Sequence, residues 1–163
     1  MIVAKTFYDL DNQELYQILR LRSEVFVVEQ DCVYQDLDNK DQISIHIFQK
    51  EKDEIVAYTR IFKSGDYYKN PSIGRVVVSK KNRGKELGKK IMIYSIEYIK
   101  HKLKGNKIEL SAQKYLDKFY KDLGFYKTGE DYLEDGIPHQ RMLFDLIWKN
   151  QNFNTPIFIF TST

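Results

Sequence analysis

The sequence of 163 residues has a single cysteine, Cys32. One cysteine excludes an internal disulfide and any CxxC metal site, so we expect no metal centre and a reducing, cytoplasmic setting. No run approaches the ~18 consecutive apolar residues that a membrane-spanning helix needs. The start, MIVAKTFYDL, also lacks the basic and long apolar segments of a signal peptide. We therefore expect no association with a membrane.

Common nucleotide-binding motifs are absent as well. The chain contains neither the GxxxxGK[ST] of a P-loop nor the GxGxxG of a dinucleotide-binding fold. Its net charge of +3 is too small to indicate nucleic acid, and no nucleic-acid reader motif accompanies the lysines between positions 80 and 107. Nucleic acid is not an expected partner.

The overall composition is that of one globular domain. Hydrophobic residues make up 42% of the chain, charged residues 30% and aromatic residues 14%, which argues against disorder. We expect a single domain over residues 1–148 and a tail over residues 149–163. Three interpretations of the tail stay open: an extra edge strand, a partner contact and a loosely held end.

Positive charge is concentrated in the middle of the chain. Residues 55–108 hold 14 Lys+Arg against 3 Asp+Glu, whereas the segments on either side are net negative. Such asymmetry fits a polyanionic ligand.

The segment Ser72–Gly88, SIGRVVVSKKNRGKELG, lies inside this basic region. Its pattern predicts a buried strand, a basic turn and a helix that begins at Arg83. A helix start offers unpaired N–H groups, and glycine lets phosphates approach the backbone. The segment is therefore a candidate diphosphate site, with charge from Lys81, Arg83, Lys85 and Lys89. The alternative is a strand–helix turn with solvated lysines.

The remaining pattern predicts the element order β-α-β-β-β-α-β-α-β-β, which mixes antiparallel and parallel connections and indicates an α+β fold. Asp11 or Asn12 is expected to cap the first helix, and Gly124 to follow the last. Among the predicted elements, the first helix ends at Phe26 and a strand spans Ile43–Gln49. A long helix spans Arg83–Leu103 and is ended by Gly105, and a short helix spans Tyr115–Leu123. The late strands are Phe125–Lys127 and Gln140–Leu146, and EDGIP separates them.

This order, with RGKELG at the head of the long helix and FYKDLGF later, resembles the GNAT N-acetyltransferase superfamily. The superfamily's signature [QR]-x-x-G-x-[GA] falls on Lys81, Gly84 and Glu86, of which only Gly84 matches strictly. Lys81 keeps the basic character, and Glu86 replaces a small residue. Gly88 fits the longer form R-G-x-x-x-G.

Four separated motifs are similar to the ElaA-like branch of that superfamily over roughly residues 15–145: LRLRSEVFVVEQDCVYQDLDNKD, IGRVVVS, RGKELG and YLEDGIPHQRM. The resemblance implies a mixed, mostly antiparallel twisted sheet flanked by helices on both faces. It also implies an N-acetyltransferase that moves an acetyl group from acetyl-CoA to a primary amine by direct attack. A non-catalytic CoA-binding or protein-interaction module stays open as the alternative, and a homodimer is expected by analogy alone.

The resemblance further implies a set of cofactor contacts. The diphosphate would lie on the backbone from Arg83 to Gly88, and the pantetheine arm would pair with the preceding strand. The implied residues are Val76, Val77, Val78, Arg83, Gly84, Lys85, Glu86, Leu87, Gly88, Lys89, Gln113 and Phe119.

Tyr120 is the general acid that the resemblance implies, since Phe119-Tyr120 followed by Gly124-Phe125 matches the family pattern. A phenol with a pKa of about 10 stays protonated at neutral pH and can protonate a thiolate. A core tyrosine is the alternative. For the general base the candidates are His139, which can equally be a structural histidine, ordered water, and the carboxylates Glu29, Asp36, Asp38 and Glu109.

The acceptor site would be formed by the first helix and the loop after it, from Arg22 to Asp41. The substrate-binding residues we predict there are Arg22, Glu29 and Asp36. The acidic side chains suit a cationic amine, either a small molecule or a peptide. A solvated acidic loop is the alternative.

Overall fold

The computed structural model describes residues 1–146, and within them the predicted order of strands and helices is confirmed. The elements are β1 Ile2–Thr6, α1 Asn12–Arg22, β2 Ile45–Glu51, β3 Glu54–Phe62, β4 Ser72–Val78, α2 Leu87–Tyr98, β5 Lys107–Gln113, α3 Asp117–Asp122, β6 Tyr126–Glu134 and β7 Ile137–Asp145. No helix in this described part is long and apolar enough to cross a membrane. The predicted tail over residues 149–163 lies outside it.

The seven strands form one sheet in the order β1-β2-β3-β4-β5-β7-β6. All neighbouring strands pair antiparallel except β4 and β5, which run parallel and share a single register pair, Ser72 with Glu109. The mixed, mostly antiparallel sheet is thus confirmed. Because pairing stops after Ser72, β4 and β5 separate and leave a wedge between them.

Helices cover both faces of the sheet, as predicted. On one face, α2 and α3 pack on the larger core, where Ile91, Met92 and Ile108 are fully buried. On the other, α1 contributes Ile18 and Leu21 to a second cluster with residues of β2, β3 and β4. Burial of these side chains supplies the main stabilisation of the fold.

The first helix begins as predicted. Asp11 is its N-cap: Oδ1 of Asp11 accepts a hydrogen bond from the Glu14 N–H at 2.7 Å, and the Glu14 carboxylate accepts one from the Asp11 N–H at 3.2 Å. The helix continues past Arg22 as a π-helical turn, Ser23–Glu29, so its predicted end at Phe26 is three residues short.

One predicted boundary and one predicted helix-ending residue differ from the structure for local reasons. The strand expected from Ile43 begins at Ile45, because Asp41–Ile43 forms a 3₁₀ turn that leaves Ile43 53% exposed. At the end of the second long helix, a π-helical turn over Ile99–Leu103 leads to Lys104 at φ 53°. Lys104, rather than Gly105, adopts the left-handed conformation that ends a helix.

The last two strands are longer than predicted and form a hairpin. Only Asp135 and Gly136 separate them, at φ 49° and 77°. A two-residue loop with both φ values positive matches the strand twist, and Asp-Gly is a favoured sequence for it. EDGIP is therefore mostly strand. Gly124, at φ 96°, follows α3 as predicted.

Candidate active site

A bulge in β4 faces the wedge. Tyr58 pairs with Val77 and Arg60 pairs with Gly74, so two residues of β4, Arg75 and Val76, oppose Thr59 alone. Arg75 lies at φ 51°, as expected where one residue is inserted into a strand. Bulges bend the strand that carries them, which fits the divergence of β4 from β5.

A cavity of about 400 Å³ occupies the wedge. Backbone groups of β4 beyond Ser72 do not pair with β5, so they are available to an extended ligand. The surrounding side chains come from β3, β4, β5, α3, the loop after α1 and the β6–β7 hairpin. Four of the predicted catalytic and cofactor-binding residues line the cavity: Val76, Gln113, Tyr120 and His139. Asp38, a candidate base, lines it as well.

Tyr120 lies on α3 with its side chain at the cavity wall. It is 5% exposed and packs edge-on against Phe119 and Phe125, with ring centroids 5.1 and 6.0 Å away. Its hydroxyl makes no hydrogen bond to another residue of the described chain. Burial, with a smaller contribution from Tyr115, raises the pKa of Tyr120 well above its ordinary value. The side chain is therefore a neutral phenol with a proton to donate.

The basic segment between β4 and the start of α2, residues 80–88, is called the phosphate turn below, and it differs from the prediction at its beginning. Residues Lys80–Asn82 form a 3₁₀ turn, and the Arg83 N–H already donates to the Lys80 carbonyl at 3.4 Å. The helix starts at Leu87 with no side-chain cap, so its first N–H groups are open. An anion site on this backbone therefore begins at Gly84, not at Arg83.

Two residues in this turn have left-handed backbone: Gly84 at φ 77° and Glu86 at φ 59°. The left-handed backbone at Glu86 explains why the family signature has a small residue at this position. Glycine adopts this conformation without strain, whereas residues with a larger side chain are strained. Glu86 is exposed, as are Lys85 and Lys89. A β-carbon on Gly88 would lie 3.6 Å from both Phe119 and Val78, so this glycine packs at the junction of α2, α3 and β4.

Two basic side chains of the turn are engaged by carboxylates. Lys81 pairs with Glu54. Arg83 forms a two-bond ion pair with Glu29, at 2.5 and 2.9 Å. Glu29 therefore faces the phosphate turn and does not line the cavity, which corrects its assignment to the acceptor site.

The side chain of Val77 points away from α2 and into the cluster around α1. Only the backbone of Val77 can therefore contact a ligand bound along β4.

Arg22 and Asp36 are corrected as well. Arg22 is completely buried: its Nε lies 2.9 Å from the Asp36 carboxylate and its Nη1 lies 2.7 Å from that of Asp41. Asp36 is 4% exposed and binds Arg75 at 2.7 Å. Neither side chain reaches the cavity surface. Both instead fix the loop after α1 against the sheet, which shapes one cavity wall.

Three of the carboxylates considered as general bases are neutralised by arginines. Arg83 binds Glu29, Arg141 binds Glu109 at 2.5 Å, and Arg60 binds Asp38 through two bonds. Burial alone would raise the pKa of Asp38, but the bonds and charge of Arg60 and the charge of Arg75 lower it to about 2. Asp36 is paired in the same way.

His139 is a candidate base that lines the cavity, as does the arginine-bound Asp38. It is 8% exposed, its ring stacks on Tyr132 at 6.1 Å, and its Nδ1 lies 2.8 Å from the Ile137 carbonyl oxygen. Because a carbonyl only accepts, Nδ1 carries the proton and the lone pair of the neutral ring is on Nε2. Gln113 lies beside it, where its amide donates to Gln30 at 2.9 Å.

Sequence reasoning missed several cavity residues: Ser72, Arg75, Ser111 and Glu134. Ser72 and Ser111 lie in predicted strands. The alternation of side chains along a strand shows only that each serine is on the opposite face of the sheet from its immediate neighbours. Arg75 lies in the quoted IGRVVVS motif, but no local signal announces the bulge. Glu134 falls in a segment predicted to be a turn, which hid its place on a strand.

The comparison with known proteins agrees with this geometry. The chain matches the family described as "Acetyltransferase (GNAT) domain" over residues 8–146. It belongs to the GNAT acetyltransferase family. Protein ElaA of Escherichia coli strain K12 is 43% identical over 141 residues, which cover 85% of this chain and 92% of ElaA. The predicted similarity to the ElaA-like branch is confirmed.

Solved structures of GNAT proteins share the fold. The crystal structure of Escherichia coli ElaA aligns with a TM-score of 0.83 at 39% identity, covering 89% of this chain and 99% of ElaA. An acyl-CoA N-acyltransferase from Pseudomonas aeruginosa gives 0.82 at 37% identity, with 88% and 99% coverage. An aminoglycoside 6'-N-acetyltransferase complexed with coenzyme A, at 15% identity, TM-score 0.66 and 88% and 96% coverage, shares the fold alone.

Proposed function

We propose that this GNAT protein transfers an acetyl group from acetyl-CoA to a primary amine by direct attack. The observation that carries the proposal is a convergence: the wedge in the sheet meets an uncapped helix start at one end and the neutral phenol of Tyr120 in its wall. A thioester held in the wedge would thus have a proton donor close to it.

The phosphate turn fits the diphosphate of CoA. The open N–H groups at the start of α2 and the positive end of the helix dipole suit an anion, and Lys85 and Lys89 add exposed charge. Arg83 can join them when it leaves Glu29. The unpaired edge of β4 would bind the pantetheine amides, assisted by Gln113.

The reaction needs no covalent enzyme intermediate. The amine nitrogen attacks the thioester carbonyl, a C–N bond forms, and the C–S bond breaks. The leaving thiolate takes the hydroxyl proton of Tyr120, which solvent later replaces. The proton of the acceptor amine passes to His139 Nε2 or to water, and a backbone N–H of the bulged β4 strand would stabilise the carbonyl oxygen.

The test is acetyl-CoA turnover across a panel of primary amines, followed by the release of free CoA thiol. Amine-dependent thiol release with a matching acetylated product supports the proposal. Tight CoA binding without turnover on any amine would indicate the alternative, a CoA-binding module. Whether the acceptor is a small molecule or a peptide, whether the protein is a homodimer and whether it is cytoplasmic remain predictions.

A further inference from the structure

Three carboxylates line the cavity: Asp38, Glu134 and Asp135. Asp38 is bound by Arg60 and Arg75, and Asp36 and Asp41 behind the wall are bound by arginines as well. Asp135, in the exposed loop of the β6–β7 hairpin, forms no ion pair within residues 1–146. Glu134 lines the same cavity, yet no lysine, arginine or histidine of residues 1–146 forms an ion pair with it. Its negative charge is therefore available to a ligand.

Hydrogen bonds fix the position of Glu134. The Ser111 hydroxyl donates to its Oε2 at 2.7 Å, and the Tyr132 hydroxyl lies 2.5 Å from the same Ser111 oxygen. Since Ser111 has one proton, Tyr132 is the donor of the second bond. This chain of two hydrogen bonds orients the carboxylate of Glu134. Such a preorganised group suits recognition of a cation better than removal of a proton.

A second, independent feature of the cavity also indicates a polar ligand. Ser72 is 2% exposed and lines the cavity, but its hydroxyl oxygen has no hydrogen-bond partner among the described residues. Buried polar groups in folded proteins are nearly always paired, so an unpaired one at a cavity wall points to a partner in the bound molecule. Phe62, Tyr67 and Tyr68 provide apolar wall nearby, which suits a methylene chain.

We propose that the acceptor carries a second, positively charged amino group and that Glu134 binds this group while the other amine reacts. The inference rests on the proposed acetyl transfer. An amine must be uncharged to attack, and a carboxylate against the reacting nitrogen would favour its ammonium form. Glu134 therefore assists most when it holds a separate charge. The class of acceptor is an α,ω-diamine or a longer polyamine.

The experiment compares α,ω-diamines of three to six carbons with the corresponding monoamines. Binding of each amine to the CoA-loaded protein is measured by calorimetry. The kcat and KM of each amine are measured with acetyl-CoA as the donor. At least one diamine should be preferred about tenfold over its monoamine, and Glu134→Gln should abolish that preference through KM with little change in kcat. Glu130→Gln is the matched control: it removes the same charge from an exposed position of β6 and should keep the preference.

Ser111→Ala keeps the carboxylate but removes its orienting bond, so it should lose part of the preference. In the wild type, the preference should also fall as ionic strength rises, which tests the ion pair without any substitution. Equal binding of every diamine and its monoamine, or an unchanged preference in Glu134→Gln, overturns the inference and leaves acetyl transfer intact. Diamine binding that depends on Glu134 without any turnover would support Glu134 as the cation-binding residue and refute the proposed reaction, and with it the role of the diamine as acceptor.

Discussion

The guanidinium of Arg83 and the carboxylate of Glu29 form a two-bond ion pair across 54 residues of sequence, at 2.5 and 2.9 Å. The pair connects the π-helical turn after α1 to the phosphate turn before α2. A diphosphate bound at that turn would compete with Glu29 for the guanidinium, because both are anions that Arg binds through two bonds.

Substituting Glu29 should therefore tighten CoA binding. Glu29→Gln removes the competing charge, and we expect the Kd of CoA, measured by calorimetry, to fall about two- to tenfold. Glu130→Gln, an exposed change on β6, should leave Kd unaltered. Weaker binding in Glu29→Gln would mean instead that Glu29 positions Arg83 for the phosphates.

Glu86 is expected to limit CoA affinity as well. It combines a left-handed backbone with a negative charge beside the open helix start. Glu86→Gly should remove both, stabilise the protein by up to about 1 kcal/mol and lower the Kd of CoA severalfold. Glu86→Ala separates the two effects, because it removes the charge and retains the backbone strain. Affinity should improve in both variants, and stability only in the glycine variant.

The two glycines of the phosphate turn should respond in opposite ways to alanine. A β-carbon on Gly84 would meet open space, but the backbone at φ 77° is strained for alanine, so Gly84→Ala should destabilise the protein by about 1 kcal/mol. At Gly88, inside α2, a β-carbon would make ordinary contacts at 3.6 Å. Gly88→Ala should stabilise by a few tenths to about 1 kcal/mol. Urea unfolding of the protein without CoA measures both, and equal signs would refute the distinction.

Much of the fold follows from local signals in the sequence. Asp11 or Asn12 predicts the start of α1, and Gly124 predicts the end of α3, because caps and left-handed residues act within a few positions. The turn and glycine pattern around Gly84 indicates the candidate phosphate site for the same reason. The exact first residue of α2 could not be predicted, since Glu86 takes a left-handed conformation that its residue type does not announce.

The parts that could not be predicted depend on distant pairing. Arg22 interrupts an apolar stripe on α1, and its partners are aspartates 14 and 19 residues away in an irregular loop. A buried arginine and a substrate-binding arginine look alike in the sequence. The bulge at Arg75 depends on how β4 pairs with β3. That Glu134 forms no ion pair depends on which carboxylates the nearby arginines bind, and the sequence does not show this.

Tyr120→Phe should separate chemistry from binding. The hydroxyl makes no hydrogen bond within residues 1–146, so its loss should leave stability and the KM for acetyl-CoA nearly unchanged. We expect kcat to fall roughly 100-fold, a typical contribution of a general acid. Because the pKa of Tyr120 is raised, wild-type kcat should show no loss from its deprotonation below about pH 10. Tyr16→Phe, an exposed change on α1, is the control; full activity in Tyr120→Phe would exclude the acid role.

The ion network behind the cavity should make stability depend on acidity. Asp38 has a pKa lowered from 3.8 to about 2, where the bonds and charge of Arg60 and the charge of Arg75 outweigh the opposing effect of burial. A carboxyl with a lowered folded-state pKa contributes stability above its unfolded pKa, and that contribution is lost as the pH falls through the folded value.

Asp38→Asn should therefore cost roughly 1–3 kcal/mol at pH 6, and its difference from the wild type should shrink between about pH 4 and pH 2. Urea unfolding at a series of pH values measures the difference. Asp9→Asn, which removes a carboxylate from the exposed turn after β1, serves as the control for the general effect of removing a negative charge. A constant penalty for Asp38→Asn across this range would show that Asp38 acts through its shape and hydrogen bonds and not through its charge.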